Sequence, residues 1–337
     1  MAAFGVRPLV LIIVGLFVVS GCAGTRDPGS FMSLAQVDSL LKRAKGGDSA
    51  ALRTLRREAN AGDARAQYGF GRAHAEAVTG AEDSTEAVHW WMMSSAGGEP
   101  AAQHALGIAY AEGYGGLPQN MERALELWQT AAAKNNPEAQ NVLGVLYSEG
   151  RFVAPDPALA EQWWTKAAEQ GLPIAQYNLG GWLVARAARP EDVPRGGRWL
   201  TLAAEQGDVE AQFFLGNVYY NGEGLNRSRA EAVRLWRMAA EQGHAGAQFA
   251  LGGALVEGTG GASDLEQAVL WLRRAAEQGH EEAQVVLGQM YHQGIGVPKN
   301  VDAAAEWWQR AAAKGNAEAR SYLAQPVRFA SEGRIIR

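Results

Sequence analysis

The dipeptide Ala-Gln returns at Ala66, Ala102, Ala139, Ala175, Ala211, Ala247 and Ala283, and Ala319 continues the series before Arg320. The steps are 36 residues long, with a single step of 37 between Ala102 and Ala139. A fixed period of this length marks a solenoid, in which each copy stacks on the next and cannot bury its apolar face alone. The period also aligns the chain with itself. Columns that recur are structural, and columns that vary are free to face a partner.

Each copy carries two helical patterns. In residues 209–244, "VEAQFFLGNVYYNGEGLNRSRAEAVRLWRMAAEQGH", the first helix holds Ala211, Leu215, Val218 and Tyr219 on one face. The second holds Ala232, Leu235, Trp236, Ala239 and Ala240, and the glycine-rich "NGEGLN" turns between them. Four residues before the Ala232 column stand Asp83, Asn120, Asp156, Asp192, Ser228, Asp264 and Asn300. All are residue types whose side-chain oxygen caps a helix N-terminus. The second helix is followed by Gly62, Gly98, Asn135, Gly171, Gly207, Gly243, Gly279 and Gly315, residues that tolerate the left-handed backbone of a helix stop. Pro100, Pro137 and Pro173 come two residues later, where a helix can open with proline. No strand pattern competes, so the spacing predicts an all-α solenoid of helix-turn-helix repeats.

The repeat "EAQNVLGVLYSEG" followed by "DPALAEQWWTKAAEQG" resembles the Sel-one-like repeat family, a relative of the tetratricopeptide repeat. The resemblance covers seven copies at 64–99, 100–136, 137–172, 173–208, 209–244, 245–280 and 281–316, with a half repeat and tail over 317–337. It implies a right-handed α-solenoid superhelix and a scaffolding role in protein complexes. Residues 32–63 read as N-terminal capping helices, because "GDSAA" and "GDARAQ" place two Gly-Asp starts 15 residues apart.

The chain opens with "MAAFGVR", then the apolar run "PLVLIIVGLFVV" of 12 residues. That run is too short to cross a bilayer, which takes about 20 residues as a helix, and it suits a signal peptide. "VSGC" resembles a bacterial lipobox, and Cys22 is the single cysteine of the 337 residues. The resemblance implies a lipoprotein signal peptide over 1–21, lipid attachment at Cys22 and a tether over 22–31. Several acyl chains then anchor the protein stably. In Gram-negative lipoproteins an aspartate after the cysteine favours the inner membrane. Ala23 stands there instead, which implies an outer-membrane lipoprotein facing the periplasm. With one cysteine, no disulfide holds the fold.

Hydrophobic residues make up 47% of the chain, which excludes a disordered polymer. The net charge of −5 and pI near 5.8 argue against nucleic-acid binding. The charge is uneven: residues 32–62 carry +3, whereas residues 63–325 carry −11.

Ten of the 11 tryptophans fall in two adjacent columns of the second helix. Leu127, Leu200, Leu235 and Leu272 replace them in some copies, which reads as packing between repeats and not as a sugar-binding ladder. Trp182 is the exception. It sits in the first helix of repeat 173–208, where Ala73, Ala109, Leu146, Val218, Ala254 and Met290 occupy the other copies. The same repeat lacks the usual glycine stop and gathers Arg186, Arg189, Arg195 and Arg198. Tryptophan and arginine dominate binding hot spots, so Trp182 and these four arginines form the candidate partner-binding site. A packing role for Trp182 and a solvated arginine face are the competing reading.

No histidine spacing resembles a metal site, and His244 and His280 share the helix-starting column of Asp63 and Asp208. The loop glycines complete no G-x-G-x-x-G and follow no strand, so they mark turns and not a phosphate site. Ser39-Leu-Leu-Lys42 fits the S-x-x-K of serine β-lactamases, but Ser-Asp-Asn and Lys-Thr-Gly are both absent. No catalytic residue, metal or cofactor is expected. The reading is a non-catalytic, membrane-anchored scaffold for envelope proteins, in secretion, polysaccharide export or signalling. A glycan- or peptidoglycan-binding envelope protein is the alternative, and a β-lactamase-like hydrolase the remote one.

Overall fold

The computed structural model describes residues 32–80 and 82–324. The signal peptide, Cys22 with its tether, and the tail beyond residue 324 lie outside the described residues. The rest is helical, with no strand among the described residues. The chain forms two compact units, one ending at Trp182 and one beginning at Leu183.

The first unit opens with α1 (Leu34–Lys45) and α2 (Ser49–Asn60). Three helix pairs follow: α3 (Ala64–Ala75) with α4 (Ser84–Ala96), α5 (Pro100–Glu112) with α6 (Met121–Ala133), and α7 (Pro137–Glu149) with α8 (Pro157–Glu169). Helix α9 (Pro173–Arg186) carries the boundary between the units. The second unit continues with α10 (Asp192–Glu205), α11 (Val209–Asn221), α12 (Arg229–Glu241), α13 (Ala245–Glu257) and α14 (Leu265–Glu277). It closes with α15 (Glu281–Gln293), α16 (Val301–Ala313) and α17 (Ala317–Ala324). Within each unit consecutive helices pack on one another, which is the architecture of an α-solenoid.

The recurring dipeptide has a double role. Its alanine is fully buried in every copy described, from Ala66 to Ala283, where a larger side chain would hold the helices apart. Its glutamine reaches back across the junction to the end of the preceding helix. Gln212 Nε2 donates to Ala204 O at 3.0 Å, Gln248 to Ala240 O at 3.1 Å and Gln284 to Ala276 O at 2.9 Å. Each bond adds a second donor to a helix-end carbonyl that already accepts the N–H of the helix-stop glycine, as Ala240 O does from Gly243 N at 3.0 Å.

The Leu-Gly pair that follows admits the indole. A Cβ on Gly216 would fall 2.6 Å from Trp236 Cδ1, and one on Gly144 would fall 2.5 Å from Trp164 Cδ1. Glycine therefore lets the first helix lie directly on the ring from the second. Among the buried indole N–H groups, those of Trp236 and Trp308 find partners at Asn217 Oδ1 (3.0 Å) and Val285 O (3.2 Å), whereas those of Trp91 and Trp164 are buried without one among the described residues.

The turn inside every repeat but 173–208 closes in one recurring way. The cap residue of the second helix donates its N–H to a carbonyl near the end of the first: Asn120 to Tyr110, Asp156 to Tyr147, Ser228 to Tyr219 and Asn300 to Tyr291. Its side chain then accepts from the helix that it starts, as Asn300 Oδ1 does from Ala303 N at 2.9 Å. At the far end, Gly243, Gly279 and even Asn135 take the left-handed backbone expected of them.

Asp192 departs from its expected role. It is the first residue of α10, Glu191 precedes it with helical angles, and no side chain caps that helix. The carboxylate of Asp192 faces back into the turn instead. It accepts from Arg189 N at 3.0 Å and Arg189 Nε at 2.9 Å. With two guanidinium groups at hand, it gains more from charged donors than from a helix N–H.

Candidate interaction site

The tryptophan columns are built into the packing. Trp91, Trp128, Trp164, Trp236 and Trp308 are buried against the glycine of their own repeat. In the neighbouring column Trp163 and Trp307 are more open, and each has a cation over one ring face. Lys166 Nζ lies 4.3 Å from the Trp163 ring centre, and Arg310 stands 4.5 Å from that of Trp307. A sugar-binding platform needs open ring faces, and these rings are engaged.

The five residues singled out in repeat 173–208 do different things. Trp182 belongs to the first unit, is half-buried and meets Trp164 edge-on, with ring centres 5.4 Å apart. The four arginines belong to the second unit. Arg189 and Arg195 both grip Asp192, at 2.8 and 3.4 Å. Burial pushes the Asp192 carboxyl up, but the Arg189 hydrogen bonds and the charges of Arg189 and Arg195 outweigh it and hold the group below its usual range. Arg186 and Arg198 are exposed. Half of the arginine cluster is thus a clasp that shapes an irregular turn, and half is surface.

A feature that the sequence did not reveal is a groove of about 940 Å³ in the first unit, over α5 and between α4 and α6. Met92, Leu106 and Leu127 give it an apolar floor, and Arg123, Glu126 and Lys134 stand at its edges. Its lining comes from three helices and so has no sequence signature.

Other candidates resolve as structure. His244 Nδ1 accepts from Ala247 N at 3.0 Å and His280 Nδ1 from Ala283 N at 3.4 Å, so both imidazoles cap helices as expected. Burial lowers His104 to about 4 and keeps it neutral. Ser39 and Lys42 are both exposed on α1. Among the described residues no group of His, Cys, Asp or Glu could hold a metal ion, and no helix is long and apolar enough to cross a membrane.

Stacked helix hairpins joined by glutamine and indole columns define a helical-repeat protein. Comparison with protein families matches the Sel1 repeat at residues 100–136, 137–172, 173–208, 209–244, 245–280 and 281–316. The chain belongs to the Sel1 repeat family. The stretch 64–99 lies outside the match but folds as the pair α3 and α4. Among solved structures, the chain is similar to a Sel1 repeat protein from Oxalobacter formigenes, with 32% identity over 85% of each chain and a TM-score of 0.63. It is also similar to a protective antigen of uropathogenic Escherichia coli strains displaying an SLR fold. There the identity is 31%, over 81% of this chain and 66% of the other, with a TM-score of 0.45. An immunity protein from Pseudomonas aeruginosa is 22% identical over 64% of this chain and 81% of its own, with a TM-score of 0.42. The comparison with curated proteins finds no match. Sel1 repeat proteins are generally non-catalytic scaffolds for protein–protein interaction.

Proposed function

We propose that this protein is a lipid-anchored scaffold of the bacterial envelope, which docks partner proteins on the variable surface of its stacked repeats. The observation that carries the reading is where variation falls between copies. Ala203, Ala239, Ala275 and Ala311 share one column, and all are fully buried. Arg198, Arg234, Leu270 and Glu306 share another, and all are exposed. A repeat that holds its core column constant and changes charge on its surface column offers each partner a different face on one rigid frame.

The anchor is read from the lipobox-like "VSGC" and from Cys22 as the single cysteine. Ala23 supports the outer membrane, with the repeats facing the periplasm. Crosslinking and pull-down from intact envelopes tests the docking role, with enrichment of one or more proteins as the expected result. Enrichment of glycan without any protein would favour the polymer-binding alternative. Labelled fatty acid should mark the wild-type chain and not Cys22→Ser; continued labelling of that variant would end the anchor proposal.

A further inference from the structure

Phe152 breaks the pattern of the turns. It lies between α7 and α8, two residues after the helix-ending Gly150. Four other turns carry glycine at this place: Gly115, Gly224, Gly260 and Gly296, with φ of 66, 74, 77 and 67°. Two physical reasons favour glycine here. The left-handed backbone drives a Cβ toward the following carbonyl. The turn also lies close on the start of another helix. A Cβ on Gly224 would fall 2.5 Å from Val193 Cγ1, and one on Gly296 would fall 2.6 Å from Leu265 O. Phe152 takes the same left-handed backbone, at φ 63°, with a full aromatic side chain. Of the four non-glycine residues with positive φ among those described, it alone is bulky.

The fold gains little from this. Phe152 is 61% exposed, more than any other large apolar residue described. The apolar packing of the turn falls to the next residue, Val153, which packs against the buried cluster that holds Trp128, Leu143 and Leu146. The ring is faced by the guanidinium of Arg151, 5.7 Å from its centre. Arg151 is itself 54% exposed and pairs with Glu149 at 3.4 Å. A strained backbone and an open ring, with no return inside the chain, point to a use outside it.

We infer that Phe152 and Arg151 form a docking point for a partner protein that presents an apolar pocket edged by carboxylates. This rests on the scaffold reading above and names one surface that serves it. The ring fills the pocket, and the guanidinium carried over its face meets the acidic edge. Aromatic residues and arginine are the side chains most enriched where interfaces are well desolvated. The left-handed backbone fixes the direction of the Cα–Cβ bond before the partner arrives, which removes the backbone's share of the ordering cost of binding. The covering guanidinium argues against a flat sugar platform.

The test uses the full chain. A photoreactive phenylalanine analogue at position 152 crosslinks the partner in cells. The product is identified by mass spectrometry and its affinity is then measured with purified proteins. Phe152→Gly should weaken binding by at least about tenfold. Relief of strain outweighs the added freedom of the unfolded chain, so the same variant should keep its Tm or raise it by about 2–4 °C. Arg151→Glu should weaken binding too, by a factor that shrinks as salt is raised. A fall in Tm for Phe152→Gly would make the ring a structural element and overturn the proposal, as would unchanged affinity. Crosslinks from 152 to lipid or glycan alone would also overturn it. Protein crosslinks from Arg198 and from Leu202, an exposed apolar residue of α10, with none from 152 would remove this docking point and leave the scaffold reading standing. An absence of protein crosslinks from all three positions would defeat both.

Discussion

Repeats 173–208 and 209–244 build the same turn differently within the second unit. In the later repeat Ser228 N donates to Tyr219 O at 3.0 Å and Ser228 Oγ accepts from Glu231 N at 3.3 Å. The turn is closed by backbone, glycine and one hydroxyl. In the earlier repeat the same column holds Asp192, whose N–H turns to Arg189 O at 3.0 Å and whose carboxylate binds Arg189 and Arg195. One column thus serves as a helix cap in one copy and as the centre of an ionic clasp in the next. The difference shows that a repeat tolerates an irregular turn when a buried charge with good partners replaces the lost backbone pattern.

The strongest test of the comparison lies in the core beneath the two turns. Trp236→Ala in the regular repeat should leave a cavity against Gly216 and cost about 3–5 kcal/mol in denaturant unfolding. The irregular repeat already carries Leu200 in that column, fully buried. Trp236→Leu should therefore be milder, on the order of 1–3 kcal/mol. Equal losses for the two variants would mean that the copies are not interchangeable in their cores.

Asp192→Ala should cost about 1.5–3 kcal/mol, because it removes a buried acceptor shared by charged donors. Asp192→Ser, which installs the residue of the regular turn, should recover little of this. Ser228→Ala should cost about 1 kcal/mol, the value of one cap. If Asp192→Ser were neutral, the clasp would be dispensable and the contrast between the turns would collapse.

Acid should separate two further steps. The folded pKa of Asp192 lies below its ordinary 3.8, so the unfolded chain takes up the proton first. The clasp's stability is complete above that value and is lost as pH falls through the lower folded one. His280 is also lowered from 6.5, first by burial and also by His244, against the opposing pull of Glu282 and Glu281. Its cap is intact above that value, and the stability it gives declines as pH falls below it. Unfolding followed against pH should show the upper step shrink in His280→Asn, leaving the part that the buried His104 contributes below 6.5, and the lower one shrink in Asp192→Asn.

The smallest effect concerns the glutamine column. Gln278 Nε2 donates to Gln248 Oε1 at 2.8 Å, whereas Lys314, one repeat later, donates to Gly279 O at 2.7 Å. Gln284 Oε1 is left buried without a partner. Lys314→Gln should extend the ladder and add about 0.5–1 kcal/mol, read as a rise in unfolding midpoint. A loss of stability would show that the lysine contact matters more than the amide bond.

Much of the architecture is legible from the period, because helix stacking demands the same buried faces in every copy. The caps at Asn120, Ser228 and Asn300 and the stops at Gly243 and Asn135 follow from local chemistry that acts within a few residues. Asp192 escaped that reading, since its choice between a helix N–H and a guanidinium depends on where Arg189 and Arg195 arrive. Phe152 left a faint trace: "EGRF" stands against "EGYG", "NGEG", "EGTG" and "QGIG". What it could not convey was that the aromatic keeps the glycine backbone and turns its ring to solvent.

By itself, then, the sequence determined the helices, their order and the columns that lie between them. Each of these depends on hydrophobic spacing and on hydrogen bonds between near neighbours in the chain. The tertiary structure alone decided which side chains of one column are caps, clasps or open surface, and where a groove opens among α4, α5 and α6. The groove depends on residues that lie far apart in the chain, and the clasp, whose partners Arg189 and Arg195 each stand three residues from Asp192, depends on how the packed helices set that turn; local pattern encodes neither.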